Sequence, residues 1–270
     1  MSEYDNFAAV YDRLMGDVDY KTRTKRLLQL FKKYDRTPEL ILDLACGTGG
    51  FSNELAQNGI EVIGVDMSEE MLSTARENSA KLGTDVLYLC QKAEELDLYG
   101  TVDGAICCLD SLNHITDYKK LCKAIARVSL FLEEGRLFIF DVNTVFKHKF
   151  ILADNTFVIE EDGVFCTWQN STDEETGITD ISLDFFTEDG EYYKRSSEDF
   201  SERPYTEEEL KEALDAAGLE ILKIYDDITD NPAWEYTERA VYVTRKKEET
   251  NNEYAHKMYY KRRSGYGYGY

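Results

Sequence analysis

The segment Leu42-Asp43-Leu44-Ala45-Cys46-Gly47-Thr48-Gly49-Gly50 constrains this chain more than any other. Ile41 to Leu44 read as the end of a buried apolar strand. Phe51, Leu55 and Ala56 open a helical pattern, so a turn of small residues joins strand to helix. Small residues let backbone N–H groups and a helix N-terminus approach a ligand closely. A plain strand-turn-helix, or a loose A-x-G-x-x-G built on Ala45, Gly47 and Gly50, also fits the spacing. Asp43 narrows the choice, because a carboxylate beside the turn would repel a pyrophosphate and attract a cationic amino group. A second acid follows. Ile60 to Val65 form a short apolar strand ending at Asp66, and an acid roughly 20 residues past such a loop suits the two hydroxyls of a ribose.

The first segment resembles motif I of class I S-adenosylmethionine-dependent methyltransferases, an acid followed by G-x-G-x-G, with Ala45 in place of the first glycine. Val65-Asp66-Met67-Ser68-Glu69-Glu70-Met71-Leu72 is similar to the second motif of that family, with Ser68 as the N-cap of a helix. The resemblance implies S-adenosyl-L-methionine as cofactor, bound around Asp43, Ala45 and Gly47, with Asp66 on the ribose and Met67 against adenine. A third strand, Leu87 to Gln91, precedes a turn where the family often carries an acid for the adenine amino group. Lys92 stands at that position, which leaves Glu94 as the candidate replacement and the Ala93 N–H as a partner for an adenine ring nitrogen. Val102 to Leu109 is the fourth strand, and Leu109 joins the cofactor-binding set. Asp110-Ser111-Leu112-Asn113-His114 is similar to the substrate-side motif of small-molecule N-methyltransferases of the glycine and amino-sugar types, where a His holds the equivalent place. His114 is therefore the candidate catalytic base. Asp110 and Arg203 are candidate substrate contacts, Arg203 being suited to a carboxylate or phosphate. Residues 4–12 resemble a lid motif of these enzymes, which makes Tyr11 a candidate cofactor contact and Tyr20, opening the first long helix, a second. Aromatic faces suit a sulfonium because it is a soft cation.

The rest of the chain continues the same plan. Leu121, Ala124, Ile125, Val128 and Leu132 recur at helical spacing over 117–132, with Gly135 as the stop, and Arg136 to Val142 form a fifth strand. Thr206 to Glu209 read as a capping box opening a helix to Ala217. Ile221 to Asp226 and Arg239 to Thr244 are two final strands, expected to pair antiparallel at one sheet edge. Alternating strands and helices predict a Rossmann-like α/β fold, a seven-stranded mainly parallel sheet with an antiparallel terminal hairpin. Residues 1–150 and 204–246 are expected to make this core. Between them, 151–203 change to period-two runs such as Thr179-Ile181-Leu183-Phe185, with an Asp189-Gly190 hairpin signal. That predicts an antiparallel meander over the active site, serving as a substrate lid.

Charge bears on the partner. The chain has 53 acids against 31 Lys and Arg, a net −22 that opposes broad nucleic-acid binding. Residues 154–203 hold 15 acids and three bases, a solvated face or a roof for a cationic, amine-bearing acceptor. The segment 247–270 is a basic Tyr/Gly tail suited to stacking on single-stranded RNA, docking on an acidic surface or packing on a second copy in a homodimer. The absence of a long apolar run or leader-like N-terminus points to a cytoplasmic protein without membrane contact. The six cysteines read as reduced, buried small hydrophobes, and three histidines make a histidine-based metal site unexpected. Three readings follow: a methyltransferase for a nitrogen or oxygen of a small molecule, one for RNA or protein docking through the tail, and a non-catalytic S-adenosylmethionine-binding module.

Overall fold

A computed structural model describes residues 18–161 and 163–248. Tyr11, the 4–12 lid motif and the tail beyond 248 lie outside the described residues. The core elements are α1 (Tyr20–Tyr34), β1 (Leu40–Leu44), α2 (Gly50–Gln57), β2 (Glu61–Asp66), α3 (Glu69–Leu82), β3 (Leu87–Cys90), β4 (Gly104–Cys107), α4 (Tyr118–Phe131) and β5 (Leu137–Asn143). After an inserted sheet come α5 (Glu207–Ala216), β10 (Leu219–Asp226) and β11 (Arg239–Lys246). The main sheet has seven strands in the order β10-β11-β5-β4-β1-β2-β3. β1 pairs in parallel with β2 and β4, and β11 runs antiparallel to both β10 and β5. The expected terminal hairpin is present, with β10 at the edge and β11 inserted beside β5.

Strand periodicity divides the core into two layers. Leu42, Leu44, Phe138, Phe140 and Tyr242 face α4 and α5, where they meet Leu121, Ile125, Val128, Leu210 and Leu214. Their neighbours Ile41, Leu137, Ile139, Val241 and Val243 face α1 and α2, against Leu27, Leu30, Phe31, Phe51 and Leu55. Central strands covered on both faces are largely apolar, and β5 is buried along its full length, with Asp141 and Asn143 as buried polar residues towards its carboxyl end. Helix starts are set by caps. Ser68 accepts from Met71 N, and Thr206 and Glu209 form the complete capping box.

The insertion forms a separate four-stranded antiparallel sheet: β6 (Thr156–Glu161), β7 (Val164–Thr172), β8 (Thr179–Asp189) and β9 (Tyr192–Glu202), in that order. Two local expectations are corrected. Helix α4 ends at Phe131, because Leu132 turns extended to bridge Val102, and Gly135 instead serves the turn into β5 with φ +75°. Regular β4 stops at Cys107 because Leu109 and Asp110 are left-handed, at φ 56° and 53°. All six cysteines are free, but Cys90 is exposed and only Cys107, Cys108 and Cys166 are buried.

Candidate active site

The carboxyl ends of β1 and β4 open into a cleft lined by Tyr20, Asp43, Ala45, Gly47, Phe51, Leu109 and Ser111, among others. Parallel register sets Leu44 beside Val65, so Asp43 and Asp66 end on neighbouring strands. Ala45 (φ 57°) and Gly47 (φ 54°) turn the loop, and a Cβ built on Gly47 would meet nothing within 4 Å. The backbone there is open to a ligand. Gly50 is required for another reason: a Cβ would come 2.4 Å from the Tyr20 ring, which packs edge-on to Phe51 at 5.2 Å between centroids. Asp66 is locked by the N–H groups of Gly47 (2.8 Å) and Ser68 (2.9 Å). Asp43 is buried and accepts a hydrogen bond from Ser52 Oγ at 2.5 Å. Burial, with Asp66 adding like charge, pushes its carboxyl up to about 7 against the Ser52 bond.

A second cluster lies where β4, β5 and β9 end. Asp141 of β5 accepts the N–H groups of Leu109 (2.9 Å) and Asp110 (2.7 Å), holding the left-handed turn. Arg239 Nη1 bridges Asp110 (2.7 Å) and Asp141 (2.5 Å). Asn143 Nδ2 donates to Asp110 at 2.8 Å and to Glu202 at 3.2 Å, and Lys147 Nζ donates to Asn143 Oδ1 at 3.0 Å. Burial alone would raise Asp110, but Arg239, His114 and Lys147 together outweigh it and hold the carboxyl below its ordinary value. Glu202, whose side chain is 5% exposed, goes the other way: burial first and Asp110 second push it up to about 8. His114 Nε2 stands 3.7 Å from Glu202 Oε1, and its ring lies 4.9 Å from that of Phe200, tilted by 35°; Phe200 shares a face of β9 with Glu202. Unlike Glu202, His114 is exposed.

Residues 41–130 match the family model described as a methyltransferase domain. The chain is 34% identical over 246 residues to YqeM of Bacillus subtilis (strain 168), which carries a methyltransferase name, covering 90% of this chain and 97% of that one. A crystal structure of an S-adenosylmethionine-dependent methyltransferase from Clostridium acetobutylicum ATCC 824 superposes with a TM-score of 0.83 at 34% identity, covering 91% and 99% of the two chains. This chain belongs to the S-adenosylmethionine-dependent methyltransferases. The fold is also shared with S-adenosylmethionine-bound CalS10, an amino pentose methyltransferase from Micromonospora echinaspora, at a TM-score of 0.71 and 19% identity over 88% of this chain and 95% of that one.

The cleft of this methyltransferase fits its cofactor. Asp43 and Asp66, which have no salt bridge among the described residues, an open face at Gly47 and the ring of Tyr20 suit a molecule carrying a ribose and two positive charges. Asp43, Ala45, Gly47, Leu109 and Tyr20 line one cleft, with Asp66 locked to its loop. Met67 is exposed on the rim beyond Asp66. Ala93 and Glu94 lie in a 3₁₀ turn after β3, and Glu94 sits 3.7 Å from Lys120 of α4, so its carboxylate already has a cation beside it. Asp110 and His114 do come together, but Arg203 does not join them. Its guanidinium donates to Glu209 (2.7 Å) and Thr116 O and lies against the rings of Tyr118 and Tyr205, so it acts as a strut between α5 and the loop before α4. Sequence reasoning missed Asp141, Asn143, Lys147, His148, Glu202 and Arg239. Asp141 and Asn143 had a signal, a polar pair at the carboxyl end of a parallel strand, where open α/β sheets place their ligands. Among the described residues no helix is long and apolar enough to cross a membrane.

Proposed function

We propose that this methyltransferase acts on a nitrogen or oxygen of a small molecule, with an amine-bearing acceptor preferred. The observation that carries the reading is His114, an exposed imidazole flanked by Asp110 and Glu202. When bound, S-adenosylmethionine supplies a methyl group on a sulfonium, already a good leaving group. The protein's own part is to orient the acceptor, keep water out and take up its proton. Desolvation by the groups packed around its ring lowers the His114 pKa below its ordinary value, with Asp110 and Asp66 opposing, which favours the neutral imidazole whose lone pair can accept that proton. Carboxylates support the amine preference. Asp110 stays ionised, and Glu198, which shares the β9 face of Phe200 and Glu202, is raised by burial and by the nearby charge of Glu70. A cationic acceptor would relieve that excess of negative charge. The inserted sheet is the substrate lid in this reading, and the likeness to an amino pentose methyltransferase supports it at the level of fold.

RNA or protein methylation through the basic tail rests on residues outside the described ones. The deciding experiment is a screen of amine, hydroxyl and carboxylate small molecules, reading S-adenosylhomocysteine release. Turnover with small amines supports the proposal. Turnover confined to RNA or protein, and lost on removal of residues 249–270, overturns it.

A further inference from the structure

The proton of His148 is located by its neighbours. His148 lies in the short helical segment after β5 and is buried, with Nδ1 3.0 Å from Thr179 Oγ1. Thr179 Oγ1 is in turn 3.1 Å from Thr172 Oγ1, and Thr172 donates to the carbonyl of Ala153 at 3.1 Å. A hydroxyl has one proton to give. Thr172 gives its proton to Ala153, so Thr179 donates to Thr172, and the Nδ1–H of His148 donates to Thr179. The other ring nitrogen, Nε2, has no hydrogen-bond partner among the described residues and faces Glu202 Oε2 at 3.5 Å.

Glu202 is buried as well, and its surroundings decide where a proton between the two residues sits. Asp110, in the turn after β4, sets a like charge near it, while Lys147, next to His148, and Arg239 of β11 set cations near it. Asn143 Nδ2 of β5 donates to Oε2 at 3.2 Å, and His114 Nε2 faces Oε1 at 3.7 Å. An ionised Glu202 beside a bare ring nitrogen would be one buried acceptor facing another, at a cost to both. An imidazolium paired with a carboxylate would bury two charges, with the new cation next to Lys147. A protonated Glu202 avoids both costs, because its O–H turns to His148 Nε2 and leaves Oε1 as a carbonyl. At 3.5 Å that bond is weak, and its value is that it satisfies a nitrogen with no other partner. The titration behaviour agrees: burial first and Asp110 second push Glu202 up to about 8, and burial pulls His148 down to about 4.

We propose that Glu202 is a positioning residue for methyl transfer: a proton-bearing carboxyl set between His148 and His114, which turns the Nε2–H of His114 toward its Oε1 and leaves Nδ1 as the atom that receives the acceptor's proton. This rests on the base role given to His114 above. In the transfer the acceptor's N–H or O–H bond breaks, its proton passes to Nδ1, and the bonding pair stays on the acceptor atom. A lone pair of that atom forms the bond to the methyl carbon, and the carbon–sulfur pair leaves with sulfur. His148 touches no reacting atom. It holds the Glu202 proton away from His114, and the group bonded to one nitrogen of an imidazole sets which of its two nitrogens is free to react.

The test uses the full chain labelled with ¹⁵N-histidine and long-range ¹H–¹⁵N spectra, with the rings assigned through His148→Gln and His114→Asn. At pH 7 His148 should be neutral with its proton on Nδ1, and neutral His114 should carry its proton on Nε2. As pH rises through about 8 the His148 signals should shift while Glu202 ionises, and Glu202→Gln should remove that shift. Glu202→Leu should mix the His114 tautomers and lower turnover about tenfold or more, with S-adenosylmethionine affinity unchanged. Glu202→Gln, whose amide offers an N–H to His148 and a carbonyl to His114, should recover most of that loss. A merely structural role for Glu202 would move neither the tautomer nor the shift. An imidazolium at His148 at pH 7, a proton on Nδ1 of neutral His114, or no recovery by glutamine overturns the proposal. Should Glu202→Leu fail to bind the cofactor, the spectra of the native and glutamine proteins decide alone. If the base role of His114 is what fails, His114→Asn keeps its turnover while the native tautomers stay as stated.

Discussion

Asp141 receives the backbone N–H of Asp110 at 2.7 Å, and the turn that presents the substrate side of the cleft depends on that contact. Asp110 and its neighbour Leu109 are both left-handed, at φ 53° and 56°. Non-glycine residues pay on the order of 1–2 kcal/mol each for that conformation. The same carboxylate also takes Leu109 N and pairs with Arg239. Asp141→Asn would turn an NH₂ group toward these donors. The expected loss is about 3 kcal/mol, the usual scale for breaking a buried pair, read as a lower midpoint in urea unfolding. An unchanged midpoint would show that the turn supports itself.

Asp43 should tie cofactor binding to pH. Its carboxyl is pushed up to about 7 in the folded chain, from 3.8 for an ordinary aspartate. Between these values the folded chain keeps a proton that the unfolded chain has released. This contribution to stability is present below the lower value and is lost as pH rises through the upper one. A cationic ligand prefers the ionised acid, so S-adenosylmethionine affinity should increase from about pH 6 to about pH 8 with proton release on binding. Calorimetry in buffers of different ionisation enthalpy measures both. Asp43→Asn should flatten the profile, and a flat profile in the native chain would sink the idea.

Asp66→Ala should weaken S-adenosylmethionine binding at least tenfold, since a hydrogen bond to a charged group contributes roughly 1.5–3 kcal/mol. The variant also frees the N–H groups of Gly47 and Ser68, so the loop loses its brace. Calorimetric titration decides, and unaltered affinity, or a preference for NAD, would exclude Asp66 from the cofactor.

His114→Asn should cut acceptor turnover by about 10²–10⁴, the usual range for general base catalysis. Cofactor affinity should hardly move, because the residue lies outside the cleft lining. The native rate should rise with pH through a step below the ordinary histidine value, since desolvation by the packed groups around the ring lowers its pKa, and then level off. The variant should lack that step. A near-normal rate with a true acceptor would mean that orientation alone suffices.

Replacing residues 156–201 with a short linker should preserve S-adenosylmethionine binding and abolish acceptor turnover. The inserted sheet meets the active site through the His114–Phe200 ring contact and the Glu202 contacts, and none of its described residues lines the cofactor cleft. Loss of cofactor binding in a chain that still unfolds cooperatively would count against a lid confined to substrate.

The sequence by itself determined the α/β plan, the cofactor loop and the hairpin sheet. Those features are local or periodic: Asp43 and Asp66 sit at strand ends, Ser68 and Thr206 cap their helices, and β5 reads as an apolar run. Only the tertiary structure decided the substrate side. Asp110, Asp141, His148, Glu202 and Arg239 come from five separate stretches, and no spacing relates them. Glu202 looked like one acid among many in an acidic insertion, and burial beside Asp110 is what sets it apart. Arg203, the next residue, looked like a substrate contact, yet alternation along an extended strand carries neighbours to opposite sides, and it meets Glu209 and two tyrosine rings instead. His148 carried no sequence signal at all, because its meaning lies in a hydroxyl chain through Thr179 and Thr172 that forms only when β7 and β8 pair beneath it.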